Sequence, residues 1–362
     1  MSAPSLAMIT TRLPPAPCGV GGFSALLREH WPDPAASVEF FVMEPGGTGL
    51  HATDRETAFG GDGARLACEL ERLGAADLIL HYAGRGYHRY GLPGWLPRVL
   101  RAWKQRFARA RLLVIFHEVP GGGLPVTSVH YWLGKAETRI VRQLARLGDI
   151  VVTNTAWHRD RLREISARAD IHLFPVGANI EAASGAPGPR TRTEFVLFGL
   201  PYGRWQTLRL FEPDLARWIA RGDLTRLHII GPRDGKFAAE ADHLLALVQA
   251  GPAAVHHGAL PAAEVSRLLH RAQFALTNAT AQTWGKSTTF MACAAHRCAP
   301  VIRAAQSAPI PLSSAVLSDE VEGLPDAELA RRADVLQSWY REHADWRVTA
   351  PRLAALLAGV SR

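Results

Sequence analysis

Residues 284–290 read WGKSTTF, and the fold turns on how that run is taken. Gly-Lys-Ser-Thr is the tail of the phosphate-binding loop of nucleotide hydrolases, a G-x-x-x-x-G-K-[ST] turn whose first glycine takes dihedrals closed to other residues. Counted back from Gly285, that glycine should stand at 280, where the chain has Thr280. A hydrolase loop is therefore not expected. The local physics survives. Gly285 stands at the mouth of a helix expected over 286–295, where the first N–H groups lack internal partners and the dipole favours an anion. Lys286 in a first helical turn opposes that dipole unless an anion lies there, and Ser287, Thr288 and Thr289 add hydroxyls. The plain alternative is an exposed lysine beside an ordinary Ser/Thr cap.

Outward from this run, short β-branched or apolar stretches alternate with segments of helical period. Strands are expected at 6–10, 38–42, 78–81, 112–116, 150–153 and 171–174, with helices at 22–30, 64–73, 96–108, 131–147 and 156–165. Alternation of this kind means βαβ units and a parallel sheet. Residues 181–194, EAASGAPGPRTRTE, are poor in large apolar side chains and rich in Gly, Pro and Arg, so they read as a linker. Alternation then restarts, with strands at 195–198, 227–230, 254–256, 274–277 and 301–302. The intervening helices fall at 207–220, 238–248, 262–270 and 286–295, and helical patterning returns at 326–342 and 351–357. The expected fold class is α/β, two tandem Rossmann-like doubly wound domains facing across a cleft. Their expected bounds are 1–177 and 178–345, with 346–362 a C-terminal helix placed to return to the first domain.

Composition narrows the function classes. Apolar residues make up 48% of the 362, ample for two cores, and charged residues at 20% argue against disorder. No apolar run reaches the roughly 18 residues that span a bilayer. The N-terminus lacks a basic region followed by a long apolar core, so no signal peptide and a cytoplasmic location are expected. Net charge is +8, yet only four of the 41 basic residues are lysines: Lys104, Lys135, Lys236 and Lys286. Either an arginine-rich coding bias or an anionic partner accounts for it. The basic residues are scattered, which does not favour nucleic acid. The densest cluster, 98–111, reads as a helix with Val99, Leu100, Trp103 and Phe107 inward. Its charged face is either simply solvated or docked peripherally on anionic lipid. Cys18, Cys68, Cys293 and Cys298 lack metal-ligand spacing and no Asp-x-Asp pair occurs, so no metal is expected.

Ligands in open α/β sheets lie beyond the carboxyl ends of the strands, so the loops that leave strands are the candidates. The first strand-to-helix turn carries Gly19, Gly21 and Gly22, which let backbone approach a phosphate or simply make a tight turn. FGLPYGRWQTL at 198–208 places Gly199, Gly203 and Arg204 before a helix, and Arg204 has the fork geometry for a phosphate. VIFHEVPGGG at 114–123 brings His117 and Glu118 to a strand end as acid–base or contact residues. Residues 80–96 supply Tyr82, Tyr87, His88 and Tyr90, which either line the cleft or pack their own loop.

In their order along nearly the whole chain, these segments resemble the family 4 glycosyltransferases of the two-Rossmann GT-B fold. The segments are the glycine turn at 18–22, HYAGRGYHRYGLPGWL, FHEVPGGG, DIVVTNTAWHRDRL, FPVGANI, HHGALPAAEVSRLLHRAQFALTNAT and AAHRCAPVI. The resemblance implies an acceptor-side first domain and a nucleotide-sugar donor domain after it. It implies retaining, metal-independent transfer of a hexosyl group from a nucleotide-diphosphate sugar to a sugar or lipid-linked hydroxyl, with no cofactor, in glycan or polysaccharide assembly at the inner membrane face. His117 and Glu118 take the catalytic positions. Gly21, Gly22, Gly203, Arg204, Gln282, Gly285, Lys286, Ser287 and Thr288 take the donor and phosphate positions, and Tyr82 and Tyr87 the acceptor side. One departure stands out. Many relatives carry two glutamates eight positions apart where this chain has Gln282 and Phe290, with Lys286 placed to serve part of that apparatus. The alternative is a catalytically inactive relative acting as a binding or scaffold subunit.

Overall fold

The computed structural model describes residues 6–46, 51–121, 127–182, 188–233, 235–303 and 311–359. Contacts divide the chain into two compact units, 1–175 with 346–362, and 176–345.

In the first unit, runs such as LAMIT and VEFFV are buried along their whole length, the pattern of parallel strands covered on both faces. Its elements are β1 (Leu6–Thr10), α1 (Gly19–Glu29), β2 (Val38–Val42), β3 (Arg55–Ala58), α2 (Gly63–Leu73), β4 (Asp77–Tyr82) and α3 (Gly84–Tyr87). α4 (Leu96–Arg106), β5 (Leu112–Phe116), α5 (Val129–Leu147), β6 (Ile150–Thr153), α6 (Ala156–Ser166) and β7 (Ile171–Leu173) follow. The strands pair in the order β3-β2-β1-β4-β5-β6-β7, all parallel. The order reverses between β1 and β4, so the loops leaving those two strands open the crevice that such sheets use for ligands.

The second unit repeats the scheme. It runs β8 (Thr191–Phe198), α7 (Pro201–Leu210), α8 (Glu212–Arg221), β9 (Arg226–Ile230), α9 (Gly235–Leu247), β10 (Ala254–Gly258) and α10 (Ala262–Arg271). β11 (Ala272–Leu276), α11 (Thr288–His296), β12 (Ala299–Ile302), β13 (Val316–Leu317) and α12 (Asp326–His343) complete it. The strand order is β10-β9-β8-β11-β12-β13, again parallel, with the reversal between β8 and β11. The last helix, α13 (Trp346–Ala358), packs in the first unit, where Trp346 is buried against Phe23 at a centroid distance of 4.8 Å.

Several elements depart from the sequence expectations. The linker is shorter than 181–194, because Thr191–Glu194 already belong to β8; residues 183–187 of it lie outside the described residues. Glu194 enters a buried strand position because Arg271 at 2.7 Å and Arg226 at 3.5 Å neutralise it. The single helix expected at 207–220 is two, α7 and α8. Pro213 lacks the N–H that a continuous helix would need, and Phe211 ends the first segment. The polar edge strand β3 and the two-residue β13 lack an apolar run and were not expected. α1 begins at Gly19 on a Cys18 cap, so the glycines lie inside its first turns and not in a loop before it.

Candidate functional site

In the first unit, His117 follows β5 directly, and its N–H donates to the Tyr82 carbonyl at 2.9 Å. The bond extends the β4–β5 ladder by one residue and fixes where the imidazole leaves the sheet. His117 Nε2 lies 3.3 Å from His81 Nδ1, and the two rings stack at 5.5 Å. Phe23 of α1 meets both rings edge-on. The enclosure leaves His117 8% exposed. Burial, with help from His158, pulls its pKa down to about 3, so the ring is neutral at physiological pH. Glu118 is exposed beside it. Gly122 and Gly123 of the following loop lie outside the described residues.

Tyr82 and Tyr87 are corrected by the structure. Both rings are core, at 0% and 2% exposure, and neither offers a face for stacking on an acceptor. The Tyr87 hydroxyl donates to the His81 carbonyl at 2.8 Å and the Ile9 carbonyl at 3.2 Å, tying the α3 loop to the sheet. Among the described residues the buried Tyr82 hydroxyl has no hydrogen-bond partner. A Cβ built on Gly84 would lie 3.1 Å from that hydroxyl, 2.9 Å from Glu137 Oε1 and 2.9 Å from the Gly91 carbonyl. A phenol, a carboxyl and a carbonyl thus converge beyond the carboxyl end of β4. Burial and the Glu118 charge push Glu137 up to about 7, and Arg85 works against them. Sequence reading missed Glu137. The available signal was its place three and four residues before buried Ile140 and Val141, a carboxylate on the inner face of α5.

The glycine turn resolves into two different positions. A Cβ on Gly21 would fall 1.4 Å from the Arg12 carbonyl, so the close approach there is to the chain's own backbone. Gly22 donates its N–H to the Cys18 carbonyl at 2.9 Å, and among the described residues nothing lies within 4 Å of such a Cβ, so there is space beside its Cα.

In the second unit, Arg204 is 5% exposed and its guanidinium is engaged by backbone. Nη1 donates to the carbonyls of Gly199 and Ile230, and Nη2 to that of Pro232 at 2.6 Å. This corrects its expected phosphate contact. The fork holds the loops after β8 and β9, because carbonyls that end buried strands need donors as much as an anion does. Gly203, in the first turn of α7, has open space around its Cα.

The helix mouth also shifts. Trp284–Lys286 form a 3-10 turn, Ser287 is the N-cap, and α11 starts at Thr288. Lys286 therefore precedes the cap and does not stand in the first helical turn. It is exposed, and among the described residues its ammonium makes no ion pair or hydrogen bond. The Ser287 hydroxyl accepts from the Phe290 N–H at 3.2 Å, which commits it to capping. The turn is fixed from behind, with Val176 N–H donating to the Gly285 carbonyl at 2.8 Å and Trp284 packed on Trp339 and Phe290. Gln282 is exposed, whereas Phe290 is fully buried. The second position of the expected glutamate pair is core in this chain. Among the described residues, no group of three or more His, Cys, Asp and Glu is arranged to hold a metal ion, and no helix is long and apolar enough to cross a membrane.

No family model and no curated protein matches the chain. Solved structures do match. Sucrose-phosphate synthase from Thermosynechococcus elongatus superposes with a TM-score of 0.72 at 14% identity, covering 98% of each chain. Anabaena HepE, determined in complex with UDP and glucose, gives 0.69 at 12% identity over 98% of this chain and 99% of its own. WaaG, a glycosyltransferase involved in lipopolysaccharide biosynthesis, gives 0.64 at 9% identity over 98% and 100%. The chain shares the two-Rossmann GT-B fold of these proteins along essentially its whole length.

Proposed function

We propose that the protein is a glycosyltransferase that moves a sugar from a nucleotide-diphosphate donor to a hydroxyl acceptor, with retention of anomeric configuration and without a metal. The observation that carries this reading is full-length likeness to glycosyltransferase structures, one of them holding UDP and glucose, over 98% of the chain. The residues present suit the chemistry. A leaving diphosphate gains charge as the glycosidic bond breaks, and fixed dipoles and cations offset that charge. The first N–H groups of α11, with Lys286 on the turn before them, supply both. In the first unit, neutral His117 and the space beside Gly22 offer contacts to a sugar. A saccharide or lipid-linked acceptor and a role in polysaccharide assembly complete the reading. The exposed Arg98, Arg101 and Arg109 of the basic cluster offer peripheral contact with an anionic bilayer, while Lys104 and Arg106 are paired with Asp149 and Glu71.

Titration calorimetry with UDP, GDP and ADP, followed by transfer assays with the matching sugar nucleotides, tests the proposal. One diphosphate should bind, and Lys286→Ala should weaken binding or turnover more than about tenfold, the worth of one charge-assisted contact. Absence of binding by every nucleoside diphosphate would sink the reading. Unchanged affinity and rate in the Lys286 variant would remove that residue from it.

A further inference from the structure

We propose that His81 fixes the tautomer of His117, so that His117 carries its proton on Nδ1 and meets a ligand as a hydrogen-bond donor. The argument is an accounting of protons in a closed space. One hydrogen bond joins His81 Nδ1 to His117 Nε2, so one proton lies between them. Both rings are neutral, since burial lowers both pKa values, with His117 adding to the effect on His81 and His158 to that on His117. Two arrangements remain. If His117 Nε2 carries the shared proton, His81 accepts through Nδ1 and must carry its own proton on Nε2. That atom is buried and has no partner among the described residues. An orphaned N–H in the core is rare and costly. If His81 Nδ1 carries the shared proton, its Nε2 is a bare lone pair and no donor is orphaned. His117 then accepts through Nε2 and holds its proton on Nδ1. Among the described residues Nδ1 makes no hydrogen bond, and His117 as a residue keeps 8% exposure, against 0% for His81. The second arrangement leaves the pair's unmet N–H on His117 Nδ1, in the residue of the two that keeps some exposure, so that a ligand oxygen is its partner.

The consequence for chemistry rests on the proposed glycosyl transfer. His117 in this form cannot act as a base through Nδ1, because that nitrogen has no lone pair to offer. It donates to a sugar hydroxyl or ring oxygen instead. His81 touches no substrate and is a positioning residue. Phe23 holds the pair together, with ring centroids 5.6 Å from His81 and 4.8 Å from His117.

The test reads the tautomer in the free protein, so it does not depend on activity. Imidazole nitrogen NMR on histidine-labelled protein near pH 7.5, assigned with His117→Gln, should show a pyrrole-type signal for His117 Nδ1 and a pyridine-type signal for Nε2. The reverse assignment overturns the proposal whatever the enzyme does. His81→Phe should leave His117 as a tautomer mixture and slow transfer by about tenfold, the scale of one lost hydrogen bond. His81→Asn, whose amide N–H₂ replaces Nδ1 as donor, should restore the single tautomer and most of the rate. A single Nδ1–H tautomer retained in His81→Phe would also refute the role of His81. A correct tautomer in a protein that transfers no sugar would instead remove the glycosyltransferase reading and leave the assignment standing.

Discussion

A carboxyl group pushed up to about 7 makes the stability of the chain depend on pH in a definite direction. Glu137 ordinarily titrates near 4.5. Between those values the folded chain holds a proton that the unfolded chain has released, so this contribution is present in acid and lost as pH rises toward 7. Glu137→Gln should therefore stabilise the protein at pH 8, by about 1 kcal/mol after solvent screening of a partly exposed group, and change little at pH 4.5. Urea denaturation at the two pH values decides it, and an equal effect at both would refute the electrostatic account. His117 has the opposite sign. Its pKa is held down to about 3, so the unfolded chain binds a proton first and stability falls as pH drops below the usual 6.5. His117→Gln should flatten the acid limb of the stability curve, seen as a smaller loss of melting temperature between pH 7 and pH 5.

At the scale of elements, helix α1 separates packing from ligand access at two adjacent glycines. An Ala at 21 would drive Cβ into the Arg12 carbonyl, so Gly21→Ala should cost more than about 2 kcal/mol or prevent folding. An Ala at 22 meets nothing, and replacing a helical glycine gains about 0.5–1 kcal/mol. Gly22→Ala should raise the melting temperature while weakening donor or sugar binding, because its methyl takes the space proposed for the ligand. Thermal melts of both variants, with nucleotide titration of the second, separate the two roles. The same contrast explains what could be read in advance. The fully apolar runs of β1, β2 and β5 announced themselves because parallel strands buried on both faces need no alternation. β8 was read four residues short because Glu194 looks like surface until Arg271 and Arg226 are in place. Residue type alone put His117 at a strand end, where it stands enclosed, and Lys286 in a first helical turn, which it precedes. It assigned ligand roles to Tyr82, Tyr87 and Arg204, whose polar atoms face the interior or backbone. Glu137 went unseen because its meaning depends on Gly84, Gly91 and Tyr82, which lie far from it in sequence.

Across the whole molecule, the first unit is completed by residues that come last in the chain. α13 buries Trp346, Leu353 and Leu357 at 1–3% exposure, and Arg111 Nη1 donates to the Leu357 carbonyl at 2.7 Å. Trp346 covers Phe23, which in turn packs on His81 and His117. Large apolar side chains contribute about 1.5–3 kcal/mol each on burial, so these three account for roughly 4.5–9 kcal/mol, comparable with the whole stability of a domain. A chain ending at Asp345 should therefore lose the fold of its first unit while the second, 176–345, remains intact. Limited proteolysis with mass spectrometry would show cuts throughout 6–175 and a surviving fragment of the second unit. Adding back a peptide of residues 346–362 should slow those cuts, since it binds the folded form of the first unit and not the unfolded one. Equal resistance of the truncated and full chains would mean that α13 is an appendage, and that the enclosure of His117 is held by α1 alone.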